Sequence, residues 1–107
     1  MRNMTELEAN TEVDGDRAFE TSFSPQQIHE VMLEFHPKKW GPPIVTLTGH
    51  NGGSREIHPA PQRGRPGHFL QRIEGDETWS GVRVTIGRGK KGKLVKVKLV
   101  GKGAGVA

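Results

Sequence analysis

The residues in this chain best suited to chemistry are imidazoles and cations. Five histidines, His29, His36, His50, His58 and His68, are the groups able to carry protons near neutral pH or to ligate a metal. Their separations match no compact zinc pattern, and the chain has no cysteine to complete one, so neither metal nor other cofactor is expected. His50, Arg55 and His58 lie close enough in sequence to share one hairpin. They are the residue types of a ribonuclease-like site, two proton carriers and a cation for phosphate. No carboxylate stands beside His50 to orient its ring, so a histidine-based nuclease is an alternative and the expectation is a chain that is not an enzyme. The glycine-rich stretches GHNGGS and GRGKKGK lack the GxxxxGK[ST] spacing and following helix of a nucleotide-binding loop.

The denser signal is charge. Residues 78–107 hold eight bases and no acid. A row of cations on a strand, with glycines that let a backbone come close, suits a polyanion whose phosphates release counterions on contact. The reading is a small basic binding module that contacts nucleic-acid phosphates non-specifically through Arg83, Arg88, Lys90, Lys91, Lys93, Lys96 and Lys98. Arg63 and Arg65 assist from a proline-rich loop, and Trp40 serves as a stacking platform beside Lys38 and Lys39. Trp79, the other tryptophan, is read as core. A plainer reading makes the lysines guards against edge-to-edge aggregation. A reading of another class makes the chain an adaptor or inhibitor that docks on an acidic partner protein.

These residues need elements to position them. The chain of 107 residues is the length of one domain. Its charge is divided: residues 1–35 carry eight acids and two bases, and the remainder carries four acids and 14 bases. Residues 1–21, polar and without evident periodicity, are expected to be a disordered acidic tail, able to fold back over the basic segment as a competing polyanion. Residues 25–35 are expected to be an amphipathic helix. Ser24 would cap it, Pro25 suits its first turn, and Ile28, Val31, Met32 and Phe35 form an apolar stripe ended by Pro37. Ile44 to Thr48 and Ser54 to His58 are expected strands around an Asn51-Gly52 turn. Residues 59–67 read as an exposed loop, and residues 68–74 as strand or helical turn. Residues 79–86 and 94–100 alternate as strands of a basic β-hairpin, and residues 102–107 fray.

The expected fold class is therefore α+β, one helix packed on a curved, mostly antiparallel sheet or partial barrel of four or five strands over residues 22–101. No apolar stretch has the length of a membrane span or signal-peptide core, so the expectation is a cytoplasmic protein with no membrane association.

Overall fold

The computed structural model describes residues 3–36, 41–87 and 89–101. Among them there is no helix. The chain forms eight antiparallel strands: β1 (Asn3–Asp14), β2 (Phe19–His36), β3 (Pro43–Gly49), β4 (Ser54–Ile57), β5 (Ala60–Pro61), β6 (His68–Arg72), β7 (Thr78–Ile86) and β8 (Lys91–Gly101). The α+β expectation is replaced by an all-β open sheet with more strands than the sequence pattern announced.

The long strand β2 organises the whole. Residues 19–27 pair with β7, whereas residues 28–36 lie between β8 and β6. One half of the sheet thus runs β1, β8, β2, β6, β5, and the other runs β2, β7, β3, β4. Both halves send side chains into a single buried cluster: Leu33 and Phe35 from β2, Leu47 from β3, Phe69 from β6, Val84 from β7 and Leu99 from β8 all belong to it. The sheet is therefore doubled over one core, and its two outward faces look away from each other. The rings of Phe35 and Phe69 meet edge to face, centroids 5.8 Å apart, and join β2 to β6 across the layer.

The expected helix over residues 25–35 is the second half of this central strand. Its apolar residues satisfy two periods at once. Ile28, Val31 and Phe35 fit a helical stripe, yet Val31, Leu33 and Phe35 are buried at every second position while Met32 and Glu34 are only half-buried. With strands on both sides, the backbone groups of this segment are paired in ladders, and the tertiary context overrides the local capping signal. Pro25 is accommodated where the register with β7 shifts, between Ser22 and Gln26, a bulge that asks nothing of its missing N–H.

The expected disordered tail is corrected in the same way. From Glu6 to Val13 the exposed positions carry Glu6, Glu8, Asn10 and Glu12, and the sheltered ones carry Leu7, Ala9, Thr11 and Val13. That is strand alternation with small apolar residues on the inner side, and Val13 is wholly buried. β1 pairs along β8 from Asn3 to Asp14, and at its end Thr85 Oγ1 donates to the Asp14 carbonyl at 3.0 Å. The sheet thus extends beyond the expected domain start at residue 22. The connector that includes Pro37, and residues 102–107, lie outside the described residues.

The two basic strands were located correctly, but they are not a hairpin. β7 pairs with β2 and β3, and β8 pairs with β1 and β2, so the glycine-rich link between them crosses from one half of the sheet to the other. No helix of the described residues is long and apolar enough to cross a membrane.

Candidate functional site

This crossing decides the fate of the expected nucleic-acid surface. Arg83 stands on the outer face of β7, between Glu20 of β2 and Thr46 of β3. Lys96 and Lys98 stand on β8, on the outer face of the opposite half. There the acidic strand lies directly alongside: Glu6 faces Lys98, Glu8 faces Lys96, Glu12 faces Lys93 and Asp14 faces Lys91. The Glu6 carboxylate is 3.3 Å from Lys98 Nζ. The cations are thus divided between two faces, and on β8 each lysine is matched by an acid of the neighbouring strand.

Lys90, Lys91 and Lys93 are exposed near the crossing, and Arg63 and Arg65 are exposed on the loop after β5, as expected of that loop. Arg88 and Trp40 lie outside the described residues. Nucleic-acid binding, and docking on an acidic protein by the same surface, both required these bases to form one uncompensated patch, and among the described residues they do not.

The histidine constellation is also divided. On β4, Arg55 turns inward at the sheet edge, while Glu56 turns outward and its Oε2 lies 3.0 Å from His58 Nε2. His50 and Arg55 share a cleft that His58 does not line. Among the described residues no group of three or more histidine, aspartate or glutamate side chains is placed to hold a metal.

That cleft is a well-defined concavity among the described residues. It is a space of about 470 Å³ lined by His50, Asn51, Ser54, Arg55, Glu77, Thr78 and Trp79, with Gly49 and Gly53 at its back. Its walls follow from local sequence. The Asn51-Gly52 pair turns β3 into β4, with Gly52 at φ 95°, a value glycine adopts without strain. The Asn51 side chain accepts from Gly53 N at 3.3 Å, and the His50 N–H donates to the Thr78 carbonyl at 2.9 Å, which ties the turn to the start of β7. The opposite wall is the segment after β6. It is fastened by Ile73 N–H donating to the His29 carbonyl at 2.8 Å and by Gln27 Nε2 donating to the Asp76 carbonyl at 3.1 Å.

Arg55 bridges the walls. Its Nη1 donates to the Glu74 carbonyl at 3.0 Å, its Nη2 lies 3.3 Å from Glu77 Oε2, and its guanidinium carbon sits 5.7 Å from the centroid of the Trp79 ring. The reading of Trp79 as core holds, since it is only 4% exposed, and the arginine is stacked over it. A fixed planar guanidinium with donors to spare, a carboxylate, hydroxyls at Ser54 and Thr78, and the His50 ring therefore converge on one small space. Such a set matches a ligand that is itself dense in hydroxyls, each able to donate and accept. Sequence reasoning singled out His50 and Arg55 but missed Glu77, Ser54 and Thr78. The signal available was the Asn51-Gly52 turn, which brings residues 50 and 55 together; nothing local connects them to residues 77–79.

No family model and no curated protein matches this chain. Among solved structures, the chain is similar to one described as a new low affinity xylan binding module, CBM86, from the xylanolytic gut symbiont Roseburia intestinalis. The two share 11% identity, and the likeness covers 91% of this chain and 94% of that one with a TM-score of 0.53. That neighbour is described as binding a polysaccharide, not a nucleic acid. What the two chains share is the fold.

Proposed function

We propose that this protein is a non-catalytic polysaccharide-binding module that takes neutral sugar units into the cleft beside Arg55. The observation that carries the reading is the clamped arginine: a guanidinium held over Trp79 and between Glu74 and Glu77 is set in place before any ligand arrives. It presents its remaining N–H groups next to the hydroxyl, carboxylate and imidazole groups of the cleft. Sugar hydroxyls, each able to donate and accept, satisfy the guanidinium and the Glu77 carboxylate together, whereas a phosphate would pair with Arg55 but be repelled by Glu77, and an apolar ligand would satisfy neither. The likeness of fold to a xylan binding module supports the same class of ligand.

The cleft is open and several of its side chains are exposed, so each must be ordered on binding, and affinity in the millimolar to sub-millimolar range is expected. Affinity electrophoresis through gels containing soluble neutral xylan, mannan or β-glucan tests the proposal. At least one polysaccharide should retard the protein, and Arg55→Ala should weaken that interaction about tenfold, the size of a lost charge-assisted hydrogen bond. Arg55→Lys, which keeps the charge but not the fork, should fail to restore it. Unretarded migration of folded protein in every gel would overturn the reading.

A further inference from the structure

A second recess opens on the outer face of the other half of the sheet. It is a space of about 140 Å³ lined by Glu34 of β2, His68 of β6, Lys96 and Lys98 of β8, and Gln62 and Arg65 of the loop before β6. An engineered protein cavity of roughly 150 Å³ admits benzene, so the recess has room for a carboxylate and the part of a sugar that bears it rather than for a whole enclosed sugar.

Its electrostatics differ from those of the first cleft. Three cations and one carboxylate line it. Lys98 is engaged by Glu6 at 3.3 Å, and Glu34 Oε1 lies 3.6 Å from His68 Nε2, a contact that is an ion pair only with the ring protonated. Lys96 stands in register between Glu8 and Glu34, yet among the described residues it forms an ion pair with neither. Arg65 likewise makes no ion pair among the described residues, although its loop is well tied: Arg65 N–H donates to the Gln62 carbonyl at 3.2 Å, and His68 N–H to the Arg65 carbonyl at 3.0 Å. With Lys98 taken up by Glu6, a half-buried ammonium and an exposed guanidinium face the single carboxylate of Glu34 across the recess, which is left with an excess of positive charge. The Glu34 carboxylate, half-buried in the same recess, is an acceptor for hydroxyls.

We infer that this recess is a subsite for the carboxylate of an acidic sugar, with Lys96 and Arg65 as its cationic partners and Gln62 and Glu34 reaching the ring hydroxyls. The inference rests on the polysaccharide-binding reading and adds a second, charge-selective point of attachment distant from the Arg55 cleft.

Isothermal titration of the full chain with a xylo-oligosaccharide bearing glucuronic acid, against the same oligosaccharide with its carboxyl reduced to the alcohol, tests the inference. The acidic probe should bind about tenfold more tightly, and the difference should shrink as salt is raised. Arg65→Ala, and separately Lys96→Gln, should erase the preference while leaving the reduced probe's affinity unchanged. Arg55→Ala should weaken the reduced probe and keep the preference. Equal affinity for the two probes, or a preference that survives both recess substitutions, would overturn the subsite while the cleft reading stands. Binding of neither probe would overturn both.

Discussion

Single residues in this protein are held by few but specific constraints. Gly67 precedes β6 at φ 82°, and a side-chain carbon there would collide with the backbone carbonyl oxygen of Phe35, whose N–H donates to the Gly67 carbonyl at 2.7 Å. Gly67→Ala should therefore lower stability by more than about 1 kcal/mol, from a left-handed backbone and a clash with a strand that cannot move, and denaturant unfolding measures it. Leu47 of β3 is wholly buried in the core, and Leu47→Ala should cost about 2–5 kcal/mol in the same measurement. At the turn after β1, the Asp14 carboxylate accepts from the N–H groups of Asp16 at 2.7 Å and Arg17 at 2.8 Å. The Asp16 and Arg17 bonds, in that order, hold its pKa below the usual aspartate value of 3.8. A carboxyl with a depressed folded pKa stabilises above its unfolded pKa and loses that contribution as pH falls through the folded one. Asp14→Asn should therefore lower the melting temperature at neutral pH and flatten its decline below pH about 4, where the wild-type carboxylate becomes protonated.

At the scale of elements, the pairing of β1 with β8 is the arrangement on which the electrostatics turn. Glu6 and Glu8 face Lys98 and Lys96, and Glu12 and Asp14 face Lys93 and Lys91. The acids are spaced two, four and two apart and the lysines two, three and two, so the extra residue in β1 is absorbed by the register shift between Glu8 and Thr11, where Asn10 takes φ 38°. Opposite-charge cross-strand pairs contribute about 0.2–1 kcal/mol each. Reversing Glu6 and Glu8 to lysine together should lower stability by about that amount per pair and more, with the loss shrinking at high salt. Removing residues 1–14 should not free a basic surface. It should leave the inner side of β8, with Leu94, Val97 and Leu99, beside an open edge, and the truncated chain should unfold or self-associate, as size-exclusion chromatography and circular dichroism will report. This complementarity was present in the sequence, but a segment of acids spaced by Leu7, Ala9 and Val13 has too little apolar content to declare itself a strand without its partner.

The same asymmetry holds for the whole molecule. Strands with clear alternation, those of Val82, Val84 and Ile86 and of Val97 and Leu99, were legible, as was the Asn51-Gly52 turn between β3 and β4. Partnership was not, because alternation fixes which side of a strand faces inward but not which strand lies beside it. Consecutive strands β7 and β8 separate to opposite halves, and β2 runs between them. That order could not be read from a tip as inviting to a hairpin as GRGKKGK. The helix was a misreading of the same kind: residues 28–35 fit two periods, and only pairing on both sides chooses. The candidate cleft was legible only in part, since His50 and Arg55 flank one turn while Glu77, Thr78 and Trp79 arrive from the start of β7 and the residue before it, more than 20 positions away. A net charge of +4 is thus a sum over faces rather than a surface, and the acids of β1 lie alongside the lysines of β8.

The central claim, that a sugar ligand is received beside Arg55, is tested most directly by following the amide resonances of the isotope-labelled protein during titration with a neutral xylo-oligosaccharide. Progressive shifts confined to His50, Asn51, Ser54, Arg55, Glu77 and Thr78, together with the Trp79 indole N–H, are the predicted result. Shifts that leave these residues untouched and gather on another face of the sheet, or a spectrum unmoved at millimolar ligand, would contradict it.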